Sequence, residues 1–192
     1  MIKTIIDKKF TNSLLLKTLA IFIYLQSGSL TAQKNVDEYV YKRALIYKIA
    51  LNFIKWPPHS KVHNKKLPFV ISIIGEDPFE GKLKELEHNK SLKINDKHIM
   101  VRNIHSIQEI EGSDILFISS SEKYDVSKII QYTRGKPILT FGDTKGFAEK
   151  GVMILLFKRG EYIRFIINKK EADTSGIYIG TQLLGRAEKV IR

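Results

Sequence analysis

The stretch ILTFGDTKGFAEKGVMILLF, residues 138–157, places a glycine-rich loop between two apolar segments. Short apolar segments bounded by glycine are typical of buried β-strands. A glycine-rich loop between strands can also hold a phosphate through its backbone N–H groups. The spacing excludes a P-loop, because only three residues separate Gly142 from Gly146 and Phe147 stands where a P-loop has lysine. The dinucleotide-binding motif Gly-x-Gly-x-x-Gly is also absent.

The rest of the chain alternates apolar segments of strand length with segments of helical periodicity. Continuous apolar runs are typical of strands that are covered on both faces of a sheet. Such runs occupy residues 67–75 and 114–120, and residues 98–104 and 137–141 are further predicted strands. The segments 152–157 and 161–168 are typical of an antiparallel hairpin. This order predicts an α/β protein, a three-layer α/β/α sandwich with a mixed, mostly parallel sheet.

The first predicted helix begins near Asn35 and ends before Pro57-Pro58, which cannot donate backbone hydrogen bonds. Its apolar residues form two adjacent stripes, one of Val36, Val40, Ala44, Tyr47, Leu51 and Ile54, the other of Tyr41, Leu45, Ile49 and Phe53. So wide an apolar surface predicts either deep burial or a second face that contacts another protein. Further helices are predicted at 79–89, from Ser120 or Ser121 to Arg134, and from Asn168 to the C-terminus.

Residues 1–32 have the organisation of an export signal. Lysines precede the apolar stretch TLAIFIYL, residues 18–25, and small residues allow cleavage after Ala32. The apolar stretch is shorter than the roughly 20 residues that a membrane-spanning helix needs. An uncleaved anchor, lengthened by Leu14–Leu16, is the alternative. Cleavage would leave residues 33–192 outside the cytoplasm as a single α/β domain.

Composition excludes several classes of site and partner. Hydrophobic residues make up 43% of the chain and charged residues 27%, as in an ordinary globular protein. The absence of cysteine excludes disulfides, thiolate metal sites and cysteine nucleophiles. A net charge of +12 would suggest nucleic acid for a cytoplasmic protein, but we expect no nucleic-acid partner for an exported one. A solvated lysine-rich exterior, anionic lipid, cell-wall polymer or an acidic protein surface then remain as interpretations of the charge.

Polar turns follow several of the predicted parallel strands and should meet at one edge of the sheet. Ligands of such sheets bind beyond the carboxyl ends of the strands. The candidate ligand-binding residues at this edge are Glu76, Asp77, Ser120, Ser121 and Asp143. Serines at a helix N-terminus favour an anion, whereas the carboxylates oppose one. Ordinary turns with capping residues are the alternative interpretation.

No catalytic motif accompanies these turns. The chain has neither a Gly-x-Ser-x-Gly elbow nor a His-Glu-x-x-His helix. His59 and His63 have a spacing that suits a metal on a helix, but they follow Pro57-Pro58 in a lysine-rich segment. We therefore predict a protein without catalytic residues, metal or cofactor, that is, not an enzyme.

Five blocks of the chain carry its distinctive sequence. They are RALIYKIALNFIKWP (43–57), PFVISIIGEDPF (68–79), DILFIS (114–119), PILTFGDTKGFAEKGVMI (137–154) and RFIINKKEADTSGIYIGTQLL (164–184). In this order they resemble the YfiR-like family of periplasmic proteins and cover nearly all of residues 40–190. The resemblance implies that the loop after residue 141 is structural. Its glycines would supply positive φ angles, Phe147 would enter the core, and Asp143 would accept loop N–H groups.

The resemblance also implies a function in regulation by binding. The best-studied members of the family repress an inner-membrane diguanylate cyclase in the control of biofilm formation, and related domains are fused to histidine kinases. This chain would then be an exported protein, often a homodimer, that restrains the extracytoplasmic domain of such a signalling protein. The alternative is a periplasmic receptor that binds a small molecule in the cleft at the strand ends. Redox sensing through cysteine cannot be carried over to a chain without cysteine.

The second stripe of the first helix is the predicted contact surface. Its residues Tyr41, Leu45, Ile49 and Phe53 would face a second copy or the membrane partner.

Overall fold

A mixed sheet of eight strands forms the middle layer of the protein, with helices on both faces. The predicted three-layer α/β/α sandwich is therefore confirmed. The computed structural model describes residues 38–122 and 126–192, so the predicted export signal lies outside the described residues. Residues 39–192 form one compact unit. None of the helices in the described part of the chain has the length and apolarity that crossing a membrane requires.

The strands and helices have the following bounds. The strands are β1 (Ile54–Lys55), β2 (Phe69–Ile74), β3 (Lys93–Ile94), β4 (Lys97–Ile104), β5 (Ile115–Ile118), β6 (Leu139–Gly142), β7 (Ile154–Arg159), β8 (Tyr162–Asn168), β9 (Tyr178–Ile179) and β10 (Lys189–Ile191). The helices are α1 (described over 38–53), α2 (Glu85–His88), α3 (Val126–Thr133), α4 (Lys169–Thr174) and α5 (Thr181–Leu184). Residues 123–125 lie outside the described residues, so the capping of α3 by Ser120 or Ser121 stays a prediction.

The strand order places a topological switch point inside the parallel part of the sheet. The order is β10-β8-β7-β6-β5-β2-β4-β3, and β4, β2, β5, β6 and β7 run parallel. The chain passes from β2 to β4 on one side and then returns to form β5 on the other side of β2. Such a reversal opens a crevice beyond the carboxyl ends of the two central strands. The antiparallel hairpin β7–β8 is present as predicted, and β1 pairs with β9 in a separate small sheet.

The two faces of the central strands bury different helices. On β5, Ile115 and Phe117 join the larger apolar cluster that includes α1, whereas Leu116 and Ile118 join the cluster under α3. Alternate side chains of a strand point to opposite faces. The continuous apolar runs in the sequence are therefore strands with a helix layer on each side.

The buried face of α1 lies between the two predicted stripes. It consists of Lys42, Ile46, Ile49 and Ala50, which recur at the spacing of one helix face. Leu51 of the first predicted stripe is 44% exposed and Tyr41 of the second is 62% exposed. The prediction of Ile49 as an interface residue is wrong, because its side chain is 2% exposed and belongs to the core.

The C-terminal segment is not one helix. Helix α4 ends at Thr174, and Gly176 two residues later has a φ of 68°. The Gly176 N–H donates to the Asp173 carbonyl, and the Ile177 N–H donates to the Ala172 carbonyl. This is the Schellman arrangement that ends helices at glycine. The chain then forms β9, α5 and β10, and β10 pairs with β8. The glycine and the strand pairing together override the helical propensity of the segment.

The glycine-rich loop after β6 is shaped by contacts at specific glycines. Gly146 and Gly151 have the predicted positive φ angles, 89° and 113°, whereas the prediction is wrong for Gly142, whose φ is not positive. A Cβ on Gly151 would lie 2.6 Å from Ile130 Cγ2, whereas a Cβ on Gly146 would meet nothing within 4 Å. Phe147 is partly buried and packs against the cluster under α3. A Cβ on Gly142 would lie 3.1 Å from the Phe147 ring.

These two glycines provide a matched test of the loop. We expect Gly146→Ala to cost about 1–2 kcal/mol of unfolding free energy, because alanine is strained at positive φ. Gly151→Ala should cost about 1–3 kcal/mol more, because its methyl group also overlaps Ile130. Urea denaturation of both variants measures the difference. Equal losses would show that Ile130 moves aside without cost.

Candidate functional site

A buried ion pair ties α1 to the loop after β6. Lys42 Nζ lies 2.9 Å from Asp143 Oδ2, and the two side chains are 3% and 4% exposed. The Tyr39 hydroxyl donates a hydrogen bond to the same oxygen at 2.7 Å, and the Lys42 ammonium lies 4.3 Å from the centre of the Tyr39 ring. Asp143 was predicted to accept N–H groups of its own loop. Its described hydrogen bonds come from the two α1 side chains instead.

The aromatic part of this contact continues into the core. The Tyr39 ring meets Phe79 edge to face at 5.3 Å, and Phe79 meets Phe117 in the same way at 4.9 Å. Asp143 Oδ1 is buried and has no hydrogen-bond partner among the described residues. Asp143 is therefore closed off beneath α1 and does not lie in an open cleft.

A cleft of about 360 Å³ lies at the topological switch point, beyond the carboxyl ends of β2, β4 and β5. We call it the strand-end cleft. Its lining residues are Gly75, Glu76, Asp77, Asn103, His105, Ser121 and Glu122. Its volume is in the range of small-molecule sites.

Hydrogen bonds between the turns fix the walls of the strand-end cleft. The Glu76 N–H donates to Ser121 Oγ at 2.8 Å, and Ser121 Oγ lies 3.0 Å from Ser119 Oγ, so the turns after β2 and β5 are joined. Asp77 accepts the N–H groups of Phe79 and Gly81, each at 2.9 Å. Because both of its carboxylate oxygens are engaged in this turn, Asp77 holds the wall in shape.

The predicted ligand-binding residues therefore separate into groups. Glu76, Asp77 and Ser121 line the strand-end cleft, Ser120 is exposed but does not line it, and Asp143 lies in the ion pair. The sequence did not indicate the lining residues Asn103, His105 and Glu122. The first two lie at the carboxyl end of β4, and only the strand order shows that β4 is next to β2.

A second concave surface lies between α1 and the β7–β8 hairpin. This α1–hairpin groove, about 350 Å³, is lined by Tyr41, Ala44, Leu45, Lys48, Glu161, Tyr162 and Ile163. The side chains of Tyr41 and Tyr162 are 62% and 69% exposed. Arg164 places its guanidinium 5.7 Å from the centre of the Tyr162 ring.

The predicted interface residues are only partly in this groove. Tyr41 and Leu45 line it, Phe53 is half-buried and does not, and Ile49 belongs to the core. The hairpin residues of the groove were not predicted, since nothing in a strand pattern places a hairpin beside a distant helix. Lys42 did give a signal that was missed. A lysine at helical spacing from Ile46 and Ile49 lies on the buried face and requires an acidic partner.

Within residues 38–122 and 126–192, no three His, Asp or Glu side chains converge as metal ligands would. His59 is exposed, and His63 Nε2 lies 3.4 Å from the Trp56 carbonyl oxygen.

Comparisons with known proteins identify a family. The sequence matches the family model described as YfiR/HmsC-like (DUF4154) over residues 39–188. No curated protein matches it. Similar solved structures include a conserved domain protein from Vibrio cholerae, with 16% identity and a TM-score of 0.49 over 78% of this chain and 59% of that chain. Another is an ABC domain from Streptococcus pneumonia in complex with L-Trp, with 13% identity and a TM-score of 0.47 over 68% and 57%. The chain spans less than two thirds of either one, and at these TM-scores neither supports an argument about function.

The buried pair predicts a large stability effect. Lys42→Met should lower the unfolding free energy by about 3–5 kcal/mol, because Asp143 is left as a buried charge without its cation. Lys42→Met combined with Asp143→Leu should recover most of the loss. Lys170→Met, at an exposed lysine of α4, is the control and should change the unfolding free energy by less than about 0.5 kcal/mol. Guanidinium denaturation measures all three variants, and similar values for Lys42→Met and Lys170→Met would contradict the expectation.

Proposed function

The chain belongs to the YfiR/HmsC-like family, and on that premise we propose that it is a periplasmic regulatory protein that acts by binding and not by catalysis. Members of the family are in general periplasmic regulatory proteins. The protein would bind and restrain the extracytoplasmic domain of an inner-membrane signalling protein, either a diguanylate cyclase or a histidine kinase. The structural observation that supports this proposal is the α1–hairpin groove.

The composition of the groove suits protein binding. Tyrosine is enriched in the centres of protein interfaces, because it buries a large rigid area and still offers a polar group. Here Tyr41 and Tyr162 are both more than half exposed, and both line the groove. Leu45 and Ile163 add apolar side chains to the same lining. Exposed aromatic side chains on facing elements are a recognised sign of an interaction surface.

The groove also favours a second copy of this chain as its occupant. Its lining carries one cation, Lys48, and one carboxylate, Glu161. In a twofold contact the same surface meets itself, so Lys48 of each copy can face Glu161 of the other. We therefore propose that the protein is a homodimer through the α1–hairpin groove and that the dimer is the form that restrains the membrane partner.

The strand-end cleft supports a second candidate function. Its position at the switch point and its volume of about 360 Å³ are those expected of a small-molecule site. In this function the protein is a periplasmic receptor, and a bound small molecule would be the signal that changes its contact with the partner. The two candidate functions are compatible, because the groove and the cleft have no lining residue in common.

Two tyrosines allow a matched test of the dimer. Tyr162 and Tyr178 are 69% and 51% exposed, and each has a cationic side chain near its ring, Arg164 or Lys55. We expect Tyr162→Glu to give a monomer, because it places a buried charge in the interface, and Tyr178→Glu to remain dimeric. Light scattering after size-exclusion chromatography measures the mass. If Tyr162→Glu stays dimeric and its circular dichroism is unchanged, the α1–hairpin groove is not the dimer interface.

Capture in the native cells tests the regulatory partner. The tagged full chain is cross-linked in place, and the enriched membrane proteins are identified by quantitative mass spectrometry. We expect one membrane-spanning cyclase or kinase to be enriched with the parent chain and with Tyr178→Glu, and to be reduced severalfold with Tyr162→Glu. If a folded and exported bait enriches no membrane protein, the regulator proposal fails and the receptor remains.

A further inference from the structure

The strand-end cleft has an unusual charge for this protein. The chain contains 32 Lys and Arg residues and has a formal net charge of +12. The cleft nevertheless has no Lys or Arg in its lining, and it contains Glu76, Asp77 and Glu122. Four further cavities in the described part of the chain are each lined by at least one Lys or Arg. The charged residues that line this cleft are therefore opposite in sign to the net charge of the protein.

The Glu76 carboxylate of the cleft is available to a ligand. Both oxygens of Asp77 accept backbone N–H groups of its own turn. The Glu76 side chain is exposed, and its carboxylate takes part in none of the hydrogen bonds or ion pairs described for this structure, although its backbone N–H is fixed by Ser121. The backbone of Glu76 is thus held at the cleft while its charge faces solvent.

Asn103 and His105 supply further polar groups to the lining. Their exposed side chains lie two residues apart at the end of β4. An amide oxygen accepts hydrogen bonds from an ammonium group, and an imidazole nitrogen does so in its neutral form. A ligand in the cleft would thus meet a carboxylate, an amide and an imidazole.

A metal ion does not fit these groups as well as an organic cation does. A compact ion needs several ligands that converge on one point. No three His, Asp or Glu side chains converge in this way among the described residues. An organic cation needs one carboxylate for its ammonium group and can extend its carbon chain through the rest of the cleft.

We propose that the strand-end cleft binds a small organic cation, with an ammonium group placed against Glu76 and the body of the molecule between Asn103 and His105. The inference rests on the second candidate function and gives the chemical class of its ligand. We commit to a free small molecule as the source, and not to a lysine of another protein, because a cleft of about 360 Å³ has room for a whole small molecule.

The test compares three probes with the same carbon chain and different charge: cadaverine, pentanediol and glutarate. Each is added to the purified full chain at low ionic strength, and Tm is measured by differential scanning fluorimetry. The measurement is repeated with Asn103→Trp, a rim variant whose large side chain fills the cleft. The difference in Tm shift between parent and Asn103→Trp isolates binding in the cleft from binding to the basic surface.

We expect a cleft-dependent shift with cadaverine alone. Titration calorimetry should show that Glu76→Gln weakens cadaverine binding about three- to tenfold, the effect of removing one partly desolvated charge. Glu80→Gln removes an exposed carboxylate outside the cleft lining and should leave the affinity unchanged.

Three other results would overturn the inference in different ways. A cleft-dependent shift with pentanediol or glutarate that equals or exceeds the cadaverine shift would contradict the ligand class and leave the receptor function in place. The absence of a cleft-dependent shift with any of the probes would contradict both. A cadaverine affinity that Glu76→Gln leaves unchanged would place the ammonium group elsewhere and reject the assigned contact.

Discussion

A lysine on the buried face of α1 can be accommodated only if a carboxylate reaches it inside the protein. Removing a charged pair from water costs several kcal/mol per ion, and close pairing with further hydrogen bonds is needed to offset it. Asp143 supplies that pairing, and the Tyr39 hydroxyl adds a hydrogen bond to the same oxygen. The loop after β6 must therefore present its first side chain toward α1, and the tight glycine contacts of the loop keep it in that position. The rotation of α1 about its own axis follows, so Ile46 and Ile49 face the sheet and Tyr41 faces outward.

The same constraint divides the carboxyl edge of the sheet into two halves. Over β6 the edge is closed, because the carboxylate that follows the strand is sealed beneath α1. Over β2, β4 and β5 the edge is open and forms the strand-end cleft. A set of polar turns that looks equivalent in the sequence thus has two different functions in the structure. One turn anchors a helix, and the others form the walls of a cavity whose charge is opposite to that of the protein.

The sequence predicted the parts of the fold that depend on local pattern. Apolar runs predicted the central strands, and the strand-length segments 152–157 and 161–168 predicted the hairpin. Features that depend on pairing between distant segments were missed or wrong. The C-terminal segment from Asn168 has helical composition, but the ending at Gly176 and the pairing of β10 with β8 override it. The cleft residues Asn103 and His105 required the strand order. Lys42 was overlooked because only apolar residues were counted in the helical stripes, although a charged residue within such a stripe is itself evidence for a buried partner.

Helix α1 connects the proposed protein contact to the edge of the sheet. Its outer face contributes Tyr41 and Leu45 to the α1–hairpin groove, and its inner face holds the loop after β6 through Lys42. Strand β6 lies beside β5, whose following turn forms part of the cleft. If both proposed sites are occupied, a displacement of α1 on binding would reach the cleft through this short chain of contacts.

Thermodynamic linkage then requires reciprocity: a cation that changes the dimerisation constant by some factor must have its own affinity changed by the same factor on dimerisation. Coupling of this kind needs two arrangements of α1, and both the cation and the second copy of the chain must bind one arrangement more tightly than the other. The buried ion pair is where those arrangements would differ, because a lysine and an aspartate in the core are either paired or strongly destabilising. A regulatory protein that acts by binding needs such an element more than it needs a catalytic group.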